Sequence, residues 1–284
     1  MLKQRVLTAL TLLIVLLPAL FYPDPRPFAA VMALGLSAAA WEWARLQGAS
    51  AGAAWATAAL HAALCAAAWA SGLLARPLPG LWMAAAVAWV AAVAWLLRAG
   101  VPGWPRVPRA VRWAVGLAAL WLAWLAMAQA RVLGVNFLLS VLVLVWAADI
   151  GAYFAGRAFG LRFTRGKLAP SISPGKSWEG VWGGTASVLV LACAWLWADA
   201  AVPAAVPSLY TRLAAAGWWA LAAGVVFLVA MSVCGDLVES LVKRSAGVKD
   251  SSRLLPGHGG VLDRVDALLP TLPIAMMMAS LLAA

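Results

Sequence analysis

Apolar residues occur along the whole chain in long runs that short polar segments separate. A helix that crosses a hydrocarbon core about 30 Å thick needs roughly 20 apolar residues, and the runs lack the polar–apolar alternation of membrane β-strands. The pattern therefore predicts an all-α, polytopic integral membrane protein. We expect about nine transmembrane helices, at Val6–Tyr22, Phe28–Trp43, Ala51–Leu74, Leu78–Leu97, Val111–Ala130, Val132–Tyr153, Val181–Ala198, Leu213–Cys234 and Val265–Ala284.

The composition excludes a soluble globular protein. Hydrophobic residues make up 65% of the sequence and charged residues only 11%, with a mean hydropathy of +0.92. Such values are far from those of a water-exposed surface. The three cysteines, Cys65, Cys193 and Cys234, lie in predicted spans without the paired spacing of a disulfide or zinc site, so we interpret them as packing residues.

The distribution of basic residues predicts the orientation of the chain. With a cytoplasmic N-terminus and nine spans, 17 of the 21 Lys and Arg residues fall on the cytoplasmic side and only Arg26, Arg76, Arg131 and Arg212 fall opposite. This bias is the one that the positive-inside rule expects. We therefore predict a multi-pass protein of the cell (inner) membrane with its C-terminus outside. The net charge of +11 reflects this topology rather than a nucleic-acid partner.

Potentially reactive residues concentrate in the second half of the chain. We interpret 1–284 as a single membrane domain, in which 1–139 supplies mainly scaffold helices. Residues 140–284 supply the catalytic helices and cytoplasmic loops. The distinction rests on clustered Gly, Ser, Lys, Asp and His after Asp149, compared with the low-complexity Ala, Leu, Val and Trp pattern before Leu139.

The two leading functional candidates are carboxylates within or beside predicted spans, where an ionised group is costly unless it is paired, hydrated or metal-bound. They are Asp149 and Asp236. Asp149 belongs to WAADIGAYFAGRAFG, in which Tyr153 and Arg157 follow at successive helical turns on roughly the same face. A structural ion pair between Asp149 and Arg157 is the alternative to a functional role.

The segment SISPGKSWEG, from Ser171 to Gly180, precedes the seventh predicted span. Lys176, Ser173 and Ser177 beside a helix N-terminus favour anion binding, because that end of a helix carries partial positive charge. A P-loop is excluded, since Pro170 occupies the position of its first glycine. The alternative is an ordinary capped helix with a lysine that extends to the membrane interface.

The segment from Cys234 to Asp266 combines a polar helix face with a glycine-rich loop. Polar residues at helical spacing form one stripe: Asp236, Glu239, Ser240 and Lys243. The glycines of PGHGG permit a tight turn with exposed amides. Asp236 and Asp263 are predicted to meet across the bundle and hold Mg²⁺, which prefers carboxylates, water and substrate phosphates. A wholly structural salt-bridge network is the alternative.

The string SLVKRSAGVKDSSRLLPGHGGVLDRVD, from Ser240 to Asp266, closely resembles the signature of the phosphatidate cytidylyltransferase family. The segments DIGAYFAGRAFG and SPGKSWEG are similar to two further motifs of that family. Two positions depart from it: Ile150 replaces a small hydroxyl residue, and Gly175 stands where a second lysine is frequent. The motif resemblance spans Asp149 to Asp266.

The resemblance implies that CTP and phosphatidic acid react to give CDP-diacylglycerol and pyrophosphate, an entry step of phospholipid synthesis. It implies a catalytic set of Asp236, Asp263, Lys243 and Ser240, with Mg²⁺, and room for a second cation, on Asp236 and Asp263. The implied substrate-binding residues are Ser173, Lys176, Ser177, Arg244, Lys249, Asp250, His258, Asp149, Glu179 and Asp266.

The partners expected on this basis are CTP, phosphatidic acid and the lipid bilayer, with no nucleic acid. The oligomeric state stays open, with a homodimer among the options. Two other functions are compatible with the motifs. A CTP-dependent lipid kinase of the polyprenol type would transfer the γ-phosphate instead, and a cation-coupled transporter would use Asp149 and Asp236 as ion sites near the bilayer midplane.

Overall fold

The computed structural model describes residues 2–202 and 204–282, so Ala283 and Ala284 of the ninth predicted span lie outside the described residues. Its helices are α1 (Leu2–Phe21), α2 (Arg26–Leu46), α3 (Ala51–Ala70), α4 (Pro79–Gly103), α5 (Arg109–Leu133), α6 (Val135–Phe159), α7 (Trp178–Ala201), α8 (Leu209–Ala215), α9 (Trp218–Ser245), α10 (Leu262–Val265) and α11 (Leu268–Leu282). The strands are β1 (Lys167–Ala169) and β2 (Ser173–Ser177). The all-α prediction is confirmed.

Eight helical segments of the described chain are long and apolar enough to cross a membrane. They comprise α1, α3, α4, α5, α6, α7, α9 and the α10–α11 unit. The second predicted span is also a helix, α2, but it carries Arg26, Glu42 and Arg45 and is not among the eight. The count of nine spans and the orientation of the bundle stay predictions.

Helix α9 continues well past Cys234, where the sequence predicted the span to end. Its last turns remain helical because Leu237, Leu241 and Val242 are buried in the core. The polar residues between them therefore stay on a rigid helix. The predicted polar stripe of α9 is confirmed as a helical feature.

The tightest helix pair is α6 with α7, and small residues make it possible. A Cβ atom at Gly184 would lie 2.7 Å from the carbonyl oxygen of Ala148, and one at Gly183 would lie 2.0 Å from the Cβ of Ala155. The two backbones therefore approach as closely as small-residue interfaces in membranes allow. This contact fixes Asp149 of α6 beside the start of α7.

Long-range contacts gather the polar segments at one end of the bundle, here called the site end. The Thr8 hydroxyl donates to the Pro256 carbonyl at 2.9 Å, and the Trp43 indole donates to the Arg112 carbonyl at 3.2 Å. These bonds bring together the N-terminal ends of α1 and α5, the C-terminal end of α2 and the loop before α10. The site end thus contains residues from both halves of the sequence.

The two strands form an antiparallel hairpin at the site end, which the sequence pattern did not predict. Lys167 is paired with Ser177, and Ala169 with Ser173. The Lys167 ammonium donates to the Pro174 carbonyl at 2.6 Å and braces the turn. Ser177 then caps α7, since its hydroxyl oxygen accepts from the Gly180 amide at 3.2 Å.

Candidate active site

A cavity of about 410 Å³ lies at the site end between α6, α7, α9 and the hairpin. Three separate sequence segments contribute to its wall, and most of their polar residues are ones that the sequence singled out. The polar residues lining it are Asp149, Tyr153, Arg157, Lys176, Ser177 and Asp236. The cavity is therefore the meeting point of the motifs.

An ion pair joins the hairpin to α9 across this cavity. The Lys176 ammonium lies 2.6 Å from Oδ2 of Asp236, with side chains 25% and 32% exposed. The other carboxylate oxygen, Oδ1, accepts from the Ser240 hydroxyl at 3.2 Å. Since the pair is only partly desolvated, both charges are accessible to a polar ligand in the cavity.

Asp149 lines the same cavity without a cationic partner among the described residues. The Arg157 guanidinium instead donates to the Tyr153 hydroxyl at 3.0 Å. The alternative of a structural pair between Asp149 and Arg157 is therefore not formed in this structure. Two carboxylates, Asp149 and Asp236, thus line one cavity. Lys176 of the hairpin is the lysine that lines it with them, and its ammonium contacts Asp236 of α9.

A second charged cluster follows along α9. The Lys243 ammonium contacts Oε2 of Glu239 and lies 2.6 Å from Oδ1 of Asp263. The side chains of Lys243, Glu239 and Asp263 are only 12%, 3% and 7% exposed. Because buried charges are costly unless paired, the three groups depend on one another.

Asp263 is also the acceptor that shapes the loop between α9 and α10. Its carboxylate accepts from the Ser251 amide at 3.0 Å, the Ser251 hydroxyl at 2.9 Å and the Gly260 amide at 2.7 Å. The Asp263 carboxylate therefore links Ser251, near the start of the loop, to Gly260, near its end. The position of this carboxylate depends on the conformation of the whole loop.

The two clusters adjoin because α9 crosses the final helical unit at Gly235. A Cβ atom at Gly235 would lie 2.6 Å from the carbonyl oxygen of Asp266 and 2.9 Å from the ring of Pro270. A helix rises about 1.5 Å per residue, so Asp236 and Lys243 are separated by about 10 Å along one face. Asp263 of α10 contacts Lys243 on that face, whereas Asp236 contacts Lys176 of the hairpin, so the two carboxylates have different lysine partners.

Arg244 and Ser173 connect α9 with the hairpin. The Arg244 guanidinium donates to the Ile172 carbonyl at 3.4 Å, and Ser173 begins β2. Arg244 is otherwise exposed. Both residues are at the site end, but neither lines the cavity described above.

The loop between α9 and α10 carries three further predicted binding residues. Lys249 and Asp250 are exposed. His258 is partly buried, and its Nδ1 has no hydrogen-bond partner in the described part of the chain. All three lie in the segment that Asp263 organises.

The carboxylates of Glu179 and Asp266 accept hydrogen bonds from nearby backbone amides. The carboxylate of Glu179, only 3% exposed, accepts from the Thr164 amide and the Thr164 hydroxyl, each at 2.8 Å. Asp266 accepts from the Ala267 amide at 2.7 Å. Neither side chain lines the cavity, and Glu179 holds the turn before β1.

Sequence reasoning missed one residue at the site end, Glu42 of α2. Its side chain is fully buried, and its carboxylate accepts from the Leu262 amide at 2.7 Å and the Val261 amide at 3.0 Å. The segment 1–139 had been interpreted as scaffold. The signal was present, because Glu42 is a carboxylate within an apolar predicted span, as unusual there as Asp149.

The sequence is similar to known proteins over its full length. The profile of the Cytidylyltransferase family matches residues 3–282. A phosphatidate cytidylyltransferase of Pseudomonas aeruginosa is 40% identical over 284 residues, covering 96% of this chain and 95% of the relative. Proteins of the same name from Haemophilus influenzae and Bacillus subtilis are 52% and 39% identical, over 49% and 52% of this chain and 44% and 49% of their own lengths.

Proposed function

This chain belongs to the cytidylyltransferase family, and we infer that it is a membrane enzyme that transfers the cytidylyl group of CTP to phosphatidate. The products are CDP-diacylglycerol and pyrophosphate, so the protein acts in phospholipid biosynthesis. The observation that carries the assignment to this site is the ion pair of Lys176 with Asp236. It unites the hairpin motif and the α9 motif in one cavity.

The reaction requires the protein to position two anions and to neutralise developing charge. A phosphate oxygen of the lipid attacks the α-phosphorus of CTP, the bond from the α-phosphorus to the bridging oxygen breaks, and pyrophosphate leaves with that electron pair. No protein nucleophile takes part. Preorganised cations and hydrogen-bond donors supply the rate enhancement in such transfers.

We assign the phosphate-binding role to the basic residues of the two clusters. Lys176 lines the cavity, and Lys243 lies one cluster further along α9. Arg244 and Lys249 are exposed at the same end, where a triphosphate can reach them. Ser240 orients Asp236 through its hydroxyl, while Ser173, Ser177, Asp250 and His258 complete the proposed binding surface.

We propose Mg²⁺ as the cofactor, held by Asp236 and Asp263, with Asp149 as an additional carboxylate and a second cation in the same region. The carboxylates of Asp149, which is exposed, and Asp236, which is partly exposed, line one cavity and are ligands of the kind that Mg²⁺ prefers. No set of three or more His, Cys, Asp or Glu side chains forms a ready metal site in the described residues. Phosphate and water oxygens would therefore complete the coordination. A cation bound there would neutralise phosphate charge.

Asp263 can bind a cation only after it loses one of its present hydrogen bonds. Its carboxylate already accepts from Lys243, Ser251 and Gly260. A cation could join it only if one of these donors gave up its place. We propose that the Lys243 ammonium moves, because it is at the end of a side chain whereas Gly260 donates from the backbone. Lys243 would then turn toward the phosphates.

We propose that the site end faces the cytoplasm, since CTP is water-soluble and the bias of basic residues favours that side. The lipid substrate stays in the inner leaflet and meets CTP at the interface. We propose that the excess of positive charge orients the chain in the membrane and binds anionic substrates. We expect no nucleic-acid partner. A homodimer is compatible with this assignment, and cross-linking in native membranes would measure it.

The decisive experiment uses purified protein with phosphatidate and CTP labelled at either the α- or the γ-phosphate. We expect α-label in the lipid product and γ-label in released pyrophosphate. Transfer of γ-label to a lipid acceptor would instead indicate a CTP-dependent lipid kinase. Ion movement across liposomes without pyrophosphate release would indicate a transporter.

A further inference from the structure

Glu42 is a fully buried carboxylate in the half of the sequence that has no other recognised functional residue. It lies in the last turns of α2, far in sequence from the motifs after Asp149. A carboxylate buried inside a helix bundle is costly unless hydrogen-bond donors surround it. The hydrogen-bond donors to Glu42 therefore indicate its structural role.

Within the described residues, every hydrogen-bond partner of Glu42 lies in the loop between α9 and α10 or at Leu262, the first residue of α10. The Val261 and Leu262 amides donate to it at 3.0 and 2.7 Å, and the Ser251 hydroxyl lies 3.3 Å from Oε2. The Ser252 hydroxyl contacts Oε1. Glu42 thus binds both the beginning and the end of this loop.

Glu42 and Asp263 both accept hydrogen bonds from the loop between α9 and α10. The Ser251 hydroxyl lies between them, 3.3 Å from the Glu42 carboxylate and 2.9 Å from that of Asp263. The Val261 and Leu262 amides that bind Glu42 directly precede Asp263 in the chain. Any shift of Glu42 therefore moves the backbone that sets the position of Asp263.

The close approach of the two carboxylates explains the paired glycines of PGHGG. A Cβ atom at Gly260 would lie 2.0 Å from the Ser251 hydroxyl and 2.5 Å from Oε1 of Glu42. A Cβ atom at Gly259, where φ is +84°, would lie 2.8 Å from Oδ2 of Asp263. Only glycine leaves room for both carboxylates to contact the backbone at once.

Helix α1 supports the same loop from outside. Besides the bond from Thr8 to Pro256, a Cβ atom at Gly257 would lie 2.8 Å from the Arg5 side chain and 3.3 Å from its amide nitrogen. The loop is thus packed against the first two helices. It depends on the N-terminal half for its shape.

We infer that Glu42 is a positioning residue of the active site, which holds the loop between α9 and α10 so that the Asp263 carboxylate lies beside Lys243 of α9, in the place where we propose that it binds the cation. Glu42 does not contact the substrates. It acts through the amides of Val261 and Leu262 and through Ser251. This inference rests on the proposed role of Asp263, and a misplacement of about 1 Å at such a group can lower turnover about 10²-fold.

The test is the substitution Glu42→Gln, which keeps the shape but replaces one acceptor oxygen with an amide that opposes the loop N–H donors. We expect kcat for cytidylyl transfer to fall about 10²-fold while the KM for CTP changes less than about threefold. Backbone amide exchange, measured by mass spectrometry on detergent-solubilised protein, should become at least about tenfold faster in 250–262 and stay unchanged in the other helices. Arg45→Gln is the matched control, because Arg45 is exposed on the same helix and bonds only to the Ala49 carbonyl.

A milder variant, Ser252→Ala, removes one donor without leaving a buried charge unpaired. It should give the same pattern at smaller amplitude, and its effect on kcat should not add to that of Glu42→Gln. Unchanged exchange in 250–262, or a kcat within threefold of the native value, would overturn the inference. Faster exchange spread evenly over the bundle would also overturn it, since Glu42 would then serve general stability. If the native protein itself transferred no cytidylyl group while exchange in 250–262 became faster in Glu42→Gln, the proposed function would fail, and the link between Glu42 and the loop would still hold.

Discussion

The ammonium of Lys176 lies 2.6 Å from the carboxylate of Asp236, and this contact joins a hairpin to a transmembrane helix. Both groups line one cavity with Asp149. A lysine in this position can exchange its carboxylate partner for a phosphate, since both are anions of similar hydrogen-bonding capacity. We therefore expect the phosphates of the nucleotide to bind beside this pair.

Replacing Lys176 with methionine should lower kcat/KM for CTP about 10²-fold, because a charge-assisted contact to phosphate is lost from the cavity. Steady-state kinetics with labelled CTP measure the effect. Lys167→Met is the matched control, since Lys167 belongs to the same hairpin but donates to the Pro174 carbonyl. We expect it to stay within about fivefold of native kcat/KM. Equal losses in both variants would mean that the hairpin fold, rather than the cavity lysine, matters.

Asp263→Asn should reduce turnover by at least about 10²-fold, as expected when an electrostatic group of the site is neutralised. The substitution also leaves Lys243 with Glu239 as its remaining carboxylate partner. Asp24→Asn provides the control, because Asp24 pairs with Arg26 in the connection between α1 and α2. Native turnover in Asp263→Asn would remove this carboxylate from the proposed catalytic set.

Chelation of divalent cations with EDTA should abolish activity, and added Mg²⁺ should restore it. In Asp236→Asn, the Mg²⁺ concentration for half-maximal activity should rise at least about tenfold, since one proposed ligand is lost. A Mg²⁺ titration of the native protein, Asp236→Asn and Asp24→Asn measures this. Full activity in EDTA would contradict the metal proposal while leaving the assignment of the reaction intact.

Gly235→Ala should destabilise the protein by about 1–3 kcal/mol, because the new methyl group would collide with backbone rather than with a flexible side chain. The Asp266 carbonyl oxygen would lie 2.6 Å from it. Thermal unfolding in detergent should show a lower midpoint and a parallel loss of activity.

Gly52→Ala is the contrasting control, because nothing lies within 4 Å of its added carbon. There we expect no loss, or a gain of about 0.5–1 kcal/mol from reduced backbone freedom. A midpoint for Gly235→Ala equal to the native one would mean that α9 and the final helices are not tightly packed.

The helices and the residue types of the site could be predicted from local features of the chain. Long apolar runs specify helices through contacts between residues three and four apart, and the same spacing placed Asp236, Glu239, Ser240 and Lys243 on one face of α9. The signature after Ser240 indicated the family, which the comparisons confirm. These features are local, so neighbouring residues in the chain encode them.

Which of these groups contact one another depends on the packing of the helices and could not be predicted from the chain. The pairing of Lys176 with Asp236, the bond of Arg157 to Tyr153 in place of Asp149, and the hairpin all depend on how helices cross. Glu42 is the clearest case, since it binds amides more than 200 positions away in the chain. Such contacts arise from close packing at glycines such as Gly235 and Gly260, and no periodicity along the sequence records which distant backbone a carboxylate will face.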